Sequence, residues 1–186
     1  MELVWPAKQY IASYVDALAT GWSSDNVRGK VAADEHLARI DQDADVFVAS
    51  LVDRAARGDP VTLPDGSKAR RLPGYTRWMW DGAYCGSIGL RWQPGTEALP
   101  AYCLGHIGYS VVPWKQRRGY ATSALRQLLP GARDEGLRYV EITTDPDNVA
   151  SQRVIEANGG VLVERFVKLP AYGGTPGLRY RIDVTT

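Results

Sequence analysis

The chain has 186 residues, 45% of them hydrophobic and 23% charged, with a formal net charge of +1. That length suits one domain with a full core, and so even a charge supplies no field to steer nucleic acid, so no nucleic-acid partner is expected. No apolar run of about 18 residues and no basic-then-apolar leader pattern occur, which predicts a cytoplasmic protein with no membrane association.

In chain order, Ile11, Tyr14, Val15 and Leu18 fall at helical spacing between Pro6 and Gly21, predicting a first helix over Ala7 to Thr20. A second helix is expected from about Asp34 to Arg57, striped by Leu37, Ile40, Phe47, Val48 and Leu51 and stopped at Gly58-Asp59-Pro60. Val61 to Arg71 reads as a loop or a short hairpin. Arg77 to Trp80 reads as a strand, Asp81-Gly82 as a hairpin turn, and Ala83 to Trp92 as the returning strand. Leu104 to Val112 is the next strand, expected to pair antiparallel with its predecessor.

Beyond it the pattern alternates between strand and helix. Ala121, Ala124, Leu125, Leu128 and Leu129 mark a helix, with a kink or break expected at Pro130-Gly131. Tyr139 to Thr143 reads as a strand, Ala150 to Ala157 as a short helix closed by Asn158-Gly159-Gly160, and Val161 to Lys168 and Leu178 to Val184 as strands. A right-handed crossover from Ile107 to Thr143 predicts parallel pairing in the middle of an otherwise antiparallel sheet. The fold class is therefore α/β in the mixed, α+β sense. Cys85 and Cys103 read as thiols inside strands, and two histidines 70 positions apart, His36 and His106, offer no metal site. Among the tryptophans, Trp78, Trp80 and Trp92 are expected in strands and Trp114 in a turn, with one or two rings free to line a pocket.

The run from Val111 to Thr122 carries the most chemistry. An apolar strand ends at Pro113, a basic turn follows, and Gly119 opens an amphipathic helix. The first N–H groups of a helix lack intrahelical partners and sit at the positive end of its dipole, so such a turn can cradle a phosphate. Lys115, Arg117 and Arg118 would add cationic donors. A basic turn that binds nothing is the plainer alternative.

Within this run, Val111-Val112-Pro113 followed by Gln116-x-x-Gly119-x-Ala121 resembles the acetyl-CoA signature of the GNAT superfamily of N-acetyltransferases. Further on, Asn148-x-x-Ser151-x-Arg153-Val154-Ile155-Glu156-x-Asn158-Gly159-Gly160 resembles the second half of that family's core. The resemblance is close from Gly105 to about Phe166 and implies a GNAT-like, mostly antiparallel twisted sheet flanked by helices, its parallel central strands splayed at the cofactor. It further implies a single domain over 1–186, with a variable helical part at 1–70 and the sheet and cofactor core at 71–186.

On that resemblance, Val111 and Val112 would pair with the pantetheine arm through their backbones. The N–H groups of Gln116, Arg117, Arg118, Gly119, Tyr120, Ala121 and Thr122 would hold the pyrophosphate, and Asn148, Ser151 and Arg153 would sit near the cofactor. Asn148 also reads as a plain helix N-cap. Ile155 stands where many members carry a proton-donating tyrosine, so Ser151, Tyr172 or water would have to supply the proton. For the general base the candidates are His106, whose ordinary pKa near 6.5 suits the task, and Glu141. A strand histidine satisfied within the sheet, and a glutamate paired with arginines, are their structural alternatives.

The implied function is acetyl-CoA-dependent N-acetylation of a small-molecule or peptide amine, by direct attack in a ternary complex. The expected binding site for the acceptor lies between the N-terminal helices and the tryptophan-rich hairpin, in a monomer or homodimer and without a metal. A non-catalytic acyl-CoA sensor and an aminoacyl-tRNA acetyltransferase are the alternatives.

Overall fold

The structure is a computed structural model that describes residues 1–25 and 28–185. Two sheets stand side by side. In the first, β1 (Glu2–Val4) and β2 (Val52–Asp53) both pair with β5 (Gly74–Trp80), which pairs with β6 (Tyr84–Arg91), and β6 with β7 (Ile107–Val111), all antiparallel. The second has the order β8 (Tyr139–Thr144), β10 (Pro176–Asp183), β9 (Val161–Val167), also antiparallel. A separate hairpin joins β3 (Val61–Thr62) to β4 (Lys68–Ala69).

The expected parallel ladder between β7 and β8 is reduced to a single seam. His106 N–H donates to the Glu141 carbonyl at 2.7 Å, and the Glu141 N–H donates to the His106 ring Nδ1 at 2.9 Å. Past this point the strands separate, so the sheet is splayed. Gly105 allows the close approach at the seam, because a Cβ there would lie 2.9 Å from the Glu141 carbonyl oxygen.

Helix α4 (Tyr120–Asp134) and helix α5 (Val149–Glu156) cover one face. There Leu125, Leu128 and Ile155 pack with Met79, Ile88, Ile142 and Tyr180 in the larger core. Helix α4 runs through Pro130 without the expected break. Leu128 and Ala132 are buried on either side of that proline, so packing carries the helix through it. Gly131 contributes closeness, since a Cβ there would come within 2.4 Å of the Tyr75 hydroxyl.

On the opposite face lie α1 (Ile11–Ala19), α2 (Lys30–Gln42) and α3 (Ala44–Ser50). Their core joins Tyr14, Leu18 and Phe47 to Trp78 and Tyr84. The single long helix expected over Asp34 to Arg57 is thus two helices and a strand. Asp43 is extended, and its carboxylate accepts from the N–H groups of Asp45 and Val46, so it caps α3 and ends α2. Strand β1 was not expected from the sequence at all.

Candidate active site

The cradle is assembled from the end of β7 and the start of α4. Gly119 is its N-cap, in the left-handed region at φ 73°, with nothing within 4 Å of where a Cβ would be. Arg117 also has positive φ, 60°. The Gln116 N–H donates back to the Pro113 carbonyl. Among the described residues, the N–H groups of Arg117, Arg118, Gly119, Tyr120, Ala121 and Thr122 have no acceptor outside the helix. They line the turn and first turn of α4, where no intrahelical acceptor is available to them. Six consecutive unpaired donors at a positive helix end have the arrangement that suits an anion, and Gln116, expected to join them, is engaged with Pro113.

Lys115 is not free to join them. Its ammonium donates to both oxygens of Asp81, at 2.8 and 2.9 Å, and the Tyr120 hydroxyl donates to the same carboxylate at 2.6 Å. These donors hold the Asp81 carboxyl far below the usual carboxylate range, Lys115 first. Asp81 therefore fastens the β5–β6 turn beneath the cradle. Arg117 and Arg118 are the exposed cations beside it.

The splay supplies a free strand edge. Val112 N–H donates to the Cys85 carbonyl and the His106 carbonyl accepts from Arg91, so the even-numbered residues of β7 turn their polar groups toward β6. By alternation the N–H and C=O of Tyr109 and Val111 face the gap. The Val112 N–H, which the resemblance implied would pair with the pantetheine arm, donates to β6, whereas the backbone groups of Tyr109 are open to the gap. The Gln116 side chain donates to the Val111 carbonyl at 3.2 Å.

Across the gap, Asn148 caps α5, accepting from Ser151 N–H at 3.0 Å. The Ser151 hydroxyl lies 2.8 Å from that of Tyr109. Burial pushes the Tyr109 phenol up to about 12, so it stays protonated at neutral pH. Arg153 is exposed on α5.

The two candidate bases sit elsewhere. His106 is fully buried in the seam, its Nδ1 lone pair taken by Glu141 N–H and its Nε2 without a hydrogen-bond partner. Burial lowers its pKa. Glu141 accepts from Arg179 at 3.1 Å and from Arg181 at 2.8 Å. Neither residue lines the large cavity beside β7. These contacts are the ones the structural alternative expects of each residue.

The large cavity lies on the other face of β7. It has a volume of about 620 Å³ and is open to solvent. Gly89 and Gly108, paired across β6 and β7, form part of its floor, the β3–β4 hairpin forms a wall, and Ser24, Arg28 and Leu51 belong to the helical side. A volume of this size suits a small molecule or a chain terminus. Tyr75, Tyr102, Tyr109 and Tyr172 contribute to its lining and no tryptophan does, although the Tyr75 hydroxyl turns to Gly131 of α4 and the Tyr109 hydroxyl to Ser151 of α5. Two of these tyrosines tie the rim together: Tyr172 donates to the Tyr102 carbonyl, and Tyr102 donates to the Arg70 carbonyl, each at 2.7 Å. Cys103, one of two free thiols, also lines it, and burial raises its pKa.

Residues 28–161 match the model of the acetyltransferase (GNAT) domain. The chain belongs to the GNAT acetyltransferase family. No curated protein sequence matches it significantly. In fold, this GNAT acetyltransferase resembles the microcin C7 self-immunity acetyltransferase MccE, held with acetyl-CoA and AMP. That pair has 14% identity and a TM-score of 0.61 over 97% of this chain and 91% of that one. An assigned ribosomal-protein-serine acetyltransferase from Vibrio cholerae gives 16%, 0.58, 97% and 92% in the same order. YncA of Salmonella typhimurium, an assigned acetyltransferase held with acetyl-CoA, gives 12%, 0.54, 98% and 93%. As a GNAT acetyltransferase the chain is an acyltransferase. Its α5 departs from the tyrosine-bearing pattern in carrying Ile155, which is fully buried.

Proposed function

We propose that the protein transfers an acetyl group from acetyl-CoA to a primary amine, by direct attack with donor and acceptor bound together. One observation carries the reading: the six unpaired N–H groups of the cradle continue directly into the free edge of β7, on the far side of which the cavity opens. A pyrophosphate fits the first, an amide-bearing arm fits the second, and an amine can reach the gap beside Tyr109 from the third.

Bound acetyl-CoA supplies an activated thioester. The chain then has four tasks. The cradle neutralises and orients the phosphates. The strand edge at Tyr109 and Val111 aligns the arm, and an N–H there faces the thioester oxygen, where such a donor contributes on the order of 3 kcal/mol. Ser151, hydrogen-bonded to Tyr109, holds a proton where the departing thiolate needs one, in place of the absent α5 tyrosine. In the cavity, the guanidinium groups disfavour a charged ammonium, which lowers the acceptor's pKa and leaves its proton to water. The raised Cys103 thiol is a poor nucleophile, which favours direct attack over an acyl-enzyme.

Release of CoA with a panel of primary amines tests the reading. Acetyl-CoA binding together with acceptor-dependent release supports it. Binding without release on any amine would make the protein an acyl-CoA sensor.

A further inference from the structure

The cavity on the acceptor face is lined by four arginines, Arg28, Arg70, Arg71 and Arg91, against two aspartates, Asp25 and Asp53. Most of these charges are already engaged. Arg28 pairs with Glu35. Arg71 donates to the Asp59 carbonyl at 2.8 Å and lies 3.9 Å from Asp53. Asp53 in turn accepts from the N–H groups of Arg57 and Gly58. Asp25 accepts from the Arg28 N–H.

Arg91 differs. It is exposed at the cavity's lining, and among the described residues its guanidinium makes no hydrogen bond or ion pair. Its Nη2 would stand 2.9 Å from a Cβ at Gly108, so the glycine makes room for it on the floor. Its charge is felt at Cys103, His106 and Tyr172, which lie around that end. Arg70 is exposed at the rim and likewise unpaired among the described residues.

The guanidinium does not address the cradle. Gly108 lies four residues before Val112, about 13 Å along the strand, with the cradle beyond. A planar, permanently charged fork with five donors is suited to an oxyanion.

We propose that the acceptor carries an anionic group, a phosphate or a carboxylate, beside its amine, and that Arg91 receives it. The proposal rests on the acetyl-transfer reading for the amine, and the anion site stands on its own geometry. It selects against polycationic amines, which meet an excess of like charge in this cavity. Amines with no anion forgo the contact with Arg91 and bind more weakly.

The test uses the full chain with acetyl-CoA and matched acceptors: 2-aminoethyl phosphate against ethanolamine, phenylalanine against 2-phenylethylamine, and spermidine. The expected result is a preference of about tenfold or more in kcat/KM for at least one anionic member over its neutral partner, a charge-assisted hydrogen bond being worth that much. Which pair shows it distinguishes phosphate from carboxylate. Arg91→Gln should collapse the preference through KM, and Arg91→Lys should restore part of it. Direct titration calorimetry of both anionic amines onto the wild type and Arg91→Gln reads the site without turnover, with binding about tenfold weaker in the variant. Preference for spermidine or a neutral amine would overturn the proposal. So would an anionic preference or affinity unchanged by Arg91→Gln, or no binding of either anionic amine. If no amine is acetylated but an anionic one binds through Arg91, the acetyl-transfer reading fails and the anion site stands.

Discussion

The two faces of β7 are built on opposite principles. On the α4 and α5 side the site is made of main-chain donors: the six N–H groups of the cradle and the strand edge at Tyr109 and Val111. On the other side the cavity is made of side chains brought from the helical region, the β3–β4 hairpin, the loop before β7 and Tyr172. Main-chain donors need a backbone shape, and a few residues such as Pro113 and Gly119 encode it locally. A side-chain cavity needs many distant segments at once. The first kind of site suits a constant ligand, and the second can be rewritten one residue at a time.

The sharpest way to break this contrast is to spoil the backbone side with one side chain. Gly119→Glu places a carboxylate in the cradle, where like-charge repulsion should weaken acetyl-CoA binding on the order of a hundredfold by calorimetry. Because nothing lies within 4 Å of that position, the fold should survive, with only the strain of a left-handed non-glycine residue. Unchanged affinity would sink the cofactor assignment.

A smaller effect is expected at the junction of the two faces. Tyr109→Phe and Ser151→Ala should each lower kcat about tenfold, below the usual range for proton-transfer assistance because a thiolate leaves readily, and the double variant should lose little more than either single one. Fully additive losses would separate the two hydroxyls into independent roles.

At the seam the expected change is in stability rather than chemistry. His106→Ala removes the acceptor for Glu141 N–H and should cost about 2 kcal/mol in urea denaturation. His106→Asn, whose carbonyl can take the Nδ1 position, should recover part of this. The buried ring resists a proton that the unfolded chain accepts below about 6.5, so stability falls as the pH drops through that value. The alanine variant should lose this component of the acid sensitivity. A shifted pH–rate profile in either variant would return His106 to the role of a base.

The mildest expected change concerns the fastening of the cradle. Asp81→Asn frees Lys115 and Tyr120 and should weaken acetyl-CoA binding only severalfold, on the order of threefold. The carboxyl is held far below its usual range, so its stabilisation is present above about pH 4 and lost as pH falls further. The variant's melting temperature should therefore depend less on pH in that acid range than the wild type's.

Most strands and helices after Arg71 were legible because their apolar positions repeat with clear periods. Two local signals misled. Pro130 suggested a break that packing at Leu128 and Ala132 overrides, and the continuous stripe through Phe47 hid the cap at Asp43. The crossover predicted a parallel ladder between β7 and β8, but the two strands meet only at a seam that depends on the His106 ring replacing a backbone acceptor, which no spacing announces. Tyr109 was passed over as a site residue, although alternation already set it on the same face as Val111. Lys115 looked like a phosphate donor only because Asp81, its partner, lies 34 positions away in sequence.

Read alone, the sequence determined the strand, turn and helix of the cradle, the asparagine cap of α5 and the family resemblance, because each is encoded within about a dozen neighbouring residues. Tertiary structure decided which charges are spent and which are available. Lys115, Glu141 and His106 are committed to partners far away in the chain, while Arg91 is left over a glycine floor with its guanidinium unpaired among the described residues. Chemical availability is a property of what surrounds a group after folding, and long-range packing alone sets that.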